Sequence, residues 1–191
     1  FFFITALVYS QQTVRIDLKE SQNSSRKTES IQNITNGFII KEKIDALDLI
    51  EKQTKGGLYR QLSSEGMSKT FDAGKPDLPV INKLIEIPQN HSAKVELVKY
   101  DVELINLQEY GLSNQILPAQ PSVEKSRNLK DVPFQKDKKI YASNEFYKPE
   151  TIKIEDIGYL REKHMGYIEI SPFSYNPVSN QIKVYNNIEI R

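Results

Sequence analysis

Few side chains in this sequence could do chemistry, and their types limit what that chemistry could be. There is no cysteine among 191 residues, so the chain holds no thiolate nucleophile, no Cys-ligated zinc and no disulfide. The two histidines, His91 and His164, lack a neighbouring nucleophile or further ligands at motif spacing, and both read as surface or rim residues. Asp45 with Asp48, and Glu155 with Asp156, are acidic pairs of a kind calcium can use, but neither belongs to an ordered ligand series. No metal ligand and no cofactor is therefore expected. Gly-rich phosphate loops, Gly-x-Ser-x-Gly elbows and His-Glu-x-x-His helices are also missing from the sequence. What remains is a basic segment, Ser122 to Pro133, in which Lys125, Ser126 and Arg127 stand between Pro121 and Pro133. By residue type it is a long exposed loop, either a solvated charged connection or a presented basic motif.

Such a loop needs a frame, and the rest of the chain reads as strands. Ten Tyr, eight Phe and no Trp accompany many Ile and Val, a β-leaning composition. The stretch Gly74-Lys-Pro-Asp-Leu-Pro-Val-Ile-Asn-Lys-Leu-Ile-Glu-Ile-Pro88 passes from turn residues into an alternating strand and ends at a proline. Residues 93–107 alternate most clearly, with Val95, Leu97, Val102 and Leu104 expected on one side and a bulge or bend expected near Val98 and Lys99. Residues 37–44, 57–62, 151–157, 158–170 and 181–191 supply further strand candidates. Asp45 to Lys55 is the one stretch with helical character. Short strands at roughly ten-residue spacing argue for an all-β fold. The expected form is an antiparallel β-sandwich, jelly-roll or Greek-key like, with at most one short helix.

Lys plus Arg is 26 against 25 Asp plus Glu, a net charge of +1, and the two signs are interleaved. A phosphate-backbone binder concentrates basic charge on one face, so no nucleic acid partner is expected. Residues 1–12 carry an apolar run followed by small and polar residues, which reads as the remnant of a secretory signal peptide. That run is shorter than the ~20 residues that span a bilayer, so no membrane insertion is expected in the mature form. Residues 13–36 read as a polar, partly mobile N-terminal segment, and 37–191 as the sandwich, with the chain continuing beyond 191 in a parent protein.

Three ordered segments resemble the gingipain-type (peptidase family C25) propeptide, the domain ahead of cysteine proteases secreted by Bacteroidetes. The first is Gly74 to Pro88, carrying Gly74, Pro76, Leu78, Pro79 and Pro88. The second is Ile116-Leu-Pro-Ala-Gln-Pro-Ser122, with Pro118 and Pro121, followed by Lys125-Ser126. The third is Gly158-Tyr-Leu-Arg161, then Ile168 to Pro177 with Pro172, Tyr175, Asn176 and Pro177, then the closing strand.

The resemblance implies a secreted or cell-surface pro-segment, exported through the periplasm by the type IX route. Its partner is then the downstream cysteine protease domain of the same polypeptide, for which it acts as intramolecular chaperone and latency device. The family's catalytic His and Cys then lie beyond Arg191, and this fragment is not itself an enzyme. Within that context the 122–133 loop becomes an inhibitory loop, because a guanidinium can fill the acidic pocket of a protease selective for basic P1 residues. Arg127 is the first choice, with Lys125 second and Ser126 between them. The competing reading is a cell-surface β-sandwich adhesion or carbohydrate-binding module, which would be expected to present an aromatic-rich face.

Overall fold

The computed structural model describes residues 12–19, 29–124 and 132–191. In chain order the strands are β1 (Thr13–Asp17), β2 (Glu29–Ile34), β3 (Gly37–Glu42), β4 (Ala46–Thr54), β5 (Gly57–Ser63), β6 (Ile81–Ile87) and β7 (Leu97–Asn106). A 3-10 turn, Leu107–Tyr110, and a short helix, α1 (Lys138–Ala142), precede β8 (Ile152–Leu160), β9 (Lys163–Ile170), β10 (Phe173–Asn176) and β11 (Gln181–Ile190). They pair into three sheets, β1-β4-β5, β6-β9-β8 and β10-β11-β3-β2, with β7 added to the last beside β11. Every strand pair within the sheets is antiparallel.

Strand β11 joins the molecule's two apolar cores. Successive strand residues face opposite sides of a sheet, and β11 sends Ile182 and Val184 into a cluster with Ile16, Leu47, Leu49 and Leu62 of the β1-β4-β5 sheet. Tyr185, Ile188 and Ile190 enter a second cluster, with Ile81, Ile168 and Ile170 of the β6-β9-β8 sheet. Tyr185 does so by simple alternation, whereas Ile188 and Ile190 change face through the register shifts after Asn186 and Glu189. Asn187 has a φ of +49° there, and the buried Asn186 amide pairs with the backbone of Ile44, accepting its N–H at 2.7 Å and donating to its carbonyl at 2.9 Å.

Several expectations are corrected by this arrangement. Residues 45–55 form β4 and not a helix, because Leu47 and Leu49 alternate into the core while β1 and β5 pair with the strand from both sides; tertiary pairing overrides a weak helical spacing. The bulge expected near Val98 and Lys99 is present, where Lys99 faces Glu189 and Leu97 faces Ile190. That slip turns Val102 and Leu104 outward, 53% and 52% exposed, and Ile105 and Leu107 take the core positions instead. Within 13–36 the residues are not uniformly polar in role, since Ile16 and Leu18 are fully packed. Of the segments read as signal remnant and mobile tip, 1–11 and 20–28 lie outside the described residues.

Candidate functional site

Two motif segments that are far apart in the sequence, 74–88 and 116–122, meet at Gly74. Its φ is +85°, a conformation that glycine adopts without steric cost, and a Cβ there would stand 3.3 Å from the backbone nitrogen of Asp137. Both polar groups of Gly74 are used. Its N–H donates to the Ala119 carbonyl at 2.7 Å, and its carbonyl accepts the Asp137 N–H at 2.9 Å. One residue therefore fastens the segment entering the 122–133 loop to the segment leaving it.

The entering stem is held along its length. Ala119 N–H donates to Lys75 and Asp77 N–H to Leu117, with Pro76 bridged to Pro118 between them. On the other side, Leu117 N–H donates to Arg60 and Arg60 N–H to Gln115. Prolines supply no N–H, which is why this strip is an irregular bridge and not a full ladder. Pro76, Pro79 and Pro118 are buried and Leu78 lies in the core. Ile116 is satisfied by two tyrosines, Tyr175 accepting its N–H at 3.2 Å and Tyr141 donating to its carbonyl at 2.8 Å. Burial pushes the hydroxyl pKa of both well above the ordinary phenol value, so they remain neutral donors. Burial likewise pushes the nearby Tyr147 up to about 12.

The leaving stem is anchored by side chains. Lys55 Nζ donates to the Val132 carbonyl at 3.0 Å. Phe134 stacks on Tyr59 at 5.5 Å and packs against Gly56, where an added Cβ would overlap its ring. Lys136 sits over the Tyr141 ring at 4.5 Å and donates to Gln115 Oε1 at 3.0 Å, a cation held by ring faces and a neutral acceptor. Asp137 then caps α1, accepting from the N–H groups of Lys139 and Ile140. Between the stems the Gln120 amide donates to the Gln135 carbonyl at 2.8 Å and accepts the Gln135 N–H at 3.0 Å.

Lys125, Ser126 and Arg127 lie outside the described residues, while Ser122 to Glu124 and Val132 to Asp137, which flank them, are described. Tyr175, Asn176 and Pro177 support the same end of the molecule. Asn176 Oδ1 accepts the N–H groups of Val178 and Ser179 to shape the β10–β11 turn, and the Pro177 carbonyl takes Gln115 Nε2 at 3.0 Å. Pro172 stands at the start of β10, its carbonyl accepting from Tyr185. Pro88 and Gly158 are placed elsewhere, at the end of β6 and at a bulge in β8 where φ is +83°. Sequence reading gave no role to Gln120, Phe134, Gln135, Lys136 and Tyr141; of these only Gln120 and Phe134 directly flank the two prolines of the loop.

Several of the ionisable groups singled out in the sequence are engaged in the frame. Asp48 pairs with Arg15 at 3.3 Å, and Asp45 with Lys43 at 3.2 Å. His164 is not a surface residue as its sequence context suggested. It is 8% exposed, stacked on Tyr159 and bonded through Nε2 to Asp156 at 2.8 Å. The pKa of Asp156 is lowered by the Gly158 N–H it accepts and then by His164. Among the described residues no three His, Asp or Glu side chains stand close enough to share a metal ion. A cleft of about 900 Å³, lined by residues such as Phe38, Ile85 and Ile154, opens over the second core. Its rim carboxylates Glu86 and Glu96 are paired with Lys163 and Arg191, so no polar constellation converges there.

Comparison with known proteins finds the same pattern. The Propeptide_C25 family model matches residues 20–191. Lys-gingipain of Porphyromonas gingivalis is 32% identical over 164 residues, covering 86% of this chain and 10% of that protein. Gingipain R1 of the same organism is 24% identical over 186 residues, covering 96% and 17%. The chain thus spans about a tenth of the length of the Lys-gingipain relatives it matches. Among solved structures, a chain from a study of the zymogenic latency of gingipain K superposes with a TM-score of 0.86 at 30% identity, covering 94% of this chain and 96% of that one. A complex of RgpB pro- and mature domains gives 0.70 at 18% identity over 85% and 83%, a likeness of fold.

Proposed function

This chain belongs to the C25 propeptide family, and from that membership we propose that it is the N-terminal pro-segment of a secreted gingipain-like cysteine endopeptidase. It acts as an intramolecular chaperone and holds the enzyme latent by placing a basic residue of the 122–133 loop in the S1 pocket. Arg127 is the residue proposed for the pocket, with Lys125 as the secondary contact and Ser126 between them. The protease domain follows in the same polypeptide and supplies the catalytic groups that a chain without cysteine cannot. Residues 1–12 act as a secretory signal remnant, and export runs through the periplasm by the type IX route to the cell surface or medium.

One observation carries the reading. The two stems of the loop are fastened to each other through Gly74, and each is packed against the β-frame by its own set of bonds. A frame that fixes both ends of an arginine-bearing loop lowers the entropy lost when the loop enters a binding pocket. Arginine suits the pocket because its planar guanidinium makes paired, charge-assisted bonds to a carboxylate.

The test is inhibition. The 191-residue chain is mixed with the protease domain of its parent polypeptide and residual hydrolysis of Arg- and Lys-containing peptides is measured. Loss of activity that saturates near one chain per enzyme supports the reading. Full activity in the presence of an excess of folded chain contradicts it.

A further inference from the structure

We propose that Gln120 is a positioning residue that closes the base of the 122–133 loop, its side-chain amide standing in for a backbone pair that the flanking prolines forbid. The loop is bracketed by Pro121 and Pro133, neither of which has an N–H to give. Beyond the Gly74–Ala119 and Gly74–Asp137 bonds no backbone–backbone bond joins the two stems among the described residues. The Gln120 amide takes that place. Its Nε2 donates to the Gln135 carbonyl at 2.8 Å, its Oε1 accepts the Gln135 N–H at 3.0 Å, and the same Nε2 lies 3.0 Å from the Pro118 carbonyl of its own stem. A primary amide carries a donor and an acceptor side by side, matching the N–H and C=O of a single residue. The fold uses the identical arrangement in its interior, where the Asn186 amide pairs with both backbone groups of Ile44.

The chemistry sets the requirements at position 120. Alanine removes both bonds. Glutamate keeps an acceptor for the Gln135 N–H but turns a second oxygen toward the Gln135 carbonyl, and asparagine is one methylene too short to span the stems. Gln120 is exposed and outside both cores, so these losses fall on the pairing of the two stems and not on the stability of the frame. The inference rests on the proposed inhibitory role for its consequence, and on the geometry of the stems for its cause.

Two measurements separate cause from consequence. Trypsin cuts after Lys125, Arg127 and Lys130 when the loop adapts to its cleft, and mass spectrometry of timed digests gives the rate at those bonds alone. With both Gln135 bonds lost in Gln120→Ala, and one lost with two oxygens set against each other in Gln120→Glu, each variant is expected to raise the loop cleavage rate about tenfold. Cutting elsewhere and the melting midpoint are expected to stay at parental values, a split that a merely structural residue would not give. Inhibition of the parent protease domain is expected to weaken by a similar factor. Parental loop cleavage in both variants overturns the clamp, and so does faster cutting spread over the whole chain with a fallen melting midpoint. Faster loop cleavage with parental inhibition overturns its positioning role. If the parent chain fails to inhibit at all, the proposed function is what falls, and the trypsin measurement still decides the clamp.

Discussion

The hydroxyl of Tyr175 accepts the backbone N–H of Ile116 at 3.2 Å and donates onward to Asn180 Oδ1 at 2.7 Å, which ties the turn after β10 to the stem that enters the loop. Asn180 Nδ2 continues the chain to the Leu112 carbonyl at 2.8 Å. All of these groups are buried, so Tyr175→Phe leaves one donor and one acceptor without partners and without water. A buried unsatisfied group costs about 1–3 kcal/mol. Thermal melts of Tyr175→Phe are expected to show a drop of several degrees. A midpoint equal to the parent's would mean that the hydroxyl network adds nothing to the frame.

Gly74 offers a second test of the same frame. A left-handed conformation costs a residue with a Cβ roughly 1–2 kcal/mol, and the added carbon crowds the Asp137 N–H. Gly74→Ala is expected to lower the melting midpoint. Gly74→Asn is expected to do less harm through the backbone term, because asparagine tolerates positive φ better than other residues. Equal effects would point to crowding at Asp137 as the whole cost.

Asp77 predicts a pH dependence of opposite sign to the usual acidic group. It is buried, and loss of solvent raises its pKa against the smaller opposing pull of Lys69 and Thr70. A carboxyl whose folded pKa exceeds its unfolded value destabilises the fold when ionised, and this cost is relieved as pH falls through the folded pKa toward the unfolded one. Asp77→Asn is therefore expected to melt higher than the parent at pH 7, with the gain shrinking toward pH 4. A variant that melts lower at pH 7 would show that the Thr70 hydroxyl bond at 3.3 Å outweighs the burial.

The strands with unbroken alternation were legible in the sequence. β9 is one, its burial alternating from His164 to Ile170, because one-sided burial writes a period of two into a strand. By contrast, β8 runs on to Leu160 across the boundary expected at 157/158, and a turn at 161–162 divides the strand expected over 158–170. The pattern failed where register slips. Val98 and Lys99 announced a bulge, but no local signal told which phase would continue beyond it, and Val102 and Leu104 were assigned to the wrong face. Residues 45–55 misled for another reason, since a central strand paired on both edges tolerates helix-forming residues. At the loop base the glycine and prolines were readable because special backbone geometry demands special residues. Gln120, Gln135 and Tyr141 were not, because a side-chain amide or hydroxyl that meets a distant backbone group leaves no periodicity behind.

Phe134 gives a fourth prediction, local to the leaving stem. An added Cβ at Gly56 would fall 2.2 Å from the Phe134 ring, so Gly56→Ala must push that ring off Tyr59. The expected outcome is a lost ring–ring contact, seen as a changed environment of the Tyr59 ring protons by NMR. A loop base with Phe134 displaced should also be cut faster by trypsin at Lys130. Unchanged Tyr59 signals would mean that the turn at Gly56 yields instead.

The most direct measurement is a titration of the parent protease domain with the wild-type chain and with Arg127→Ala, Arg127→Lys and Lys125→Ala, each checked by thermal melting. A desolvated arginine in an acidic pocket is an anchor whose truncation costs about 2 kcal/mol or more, because its carboxylate partner is left buried and unpaired. Arg127→Ala is expected to weaken inhibition at least about tenfold, Arg127→Lys less, and Lys125→Ala least, with melting midpoints unchanged. If Arg127→Ala and Lys125→Ala both inhibit as the parent does, the pocket-filling account is contradicted, and latency must come from steric cover by the sandwich.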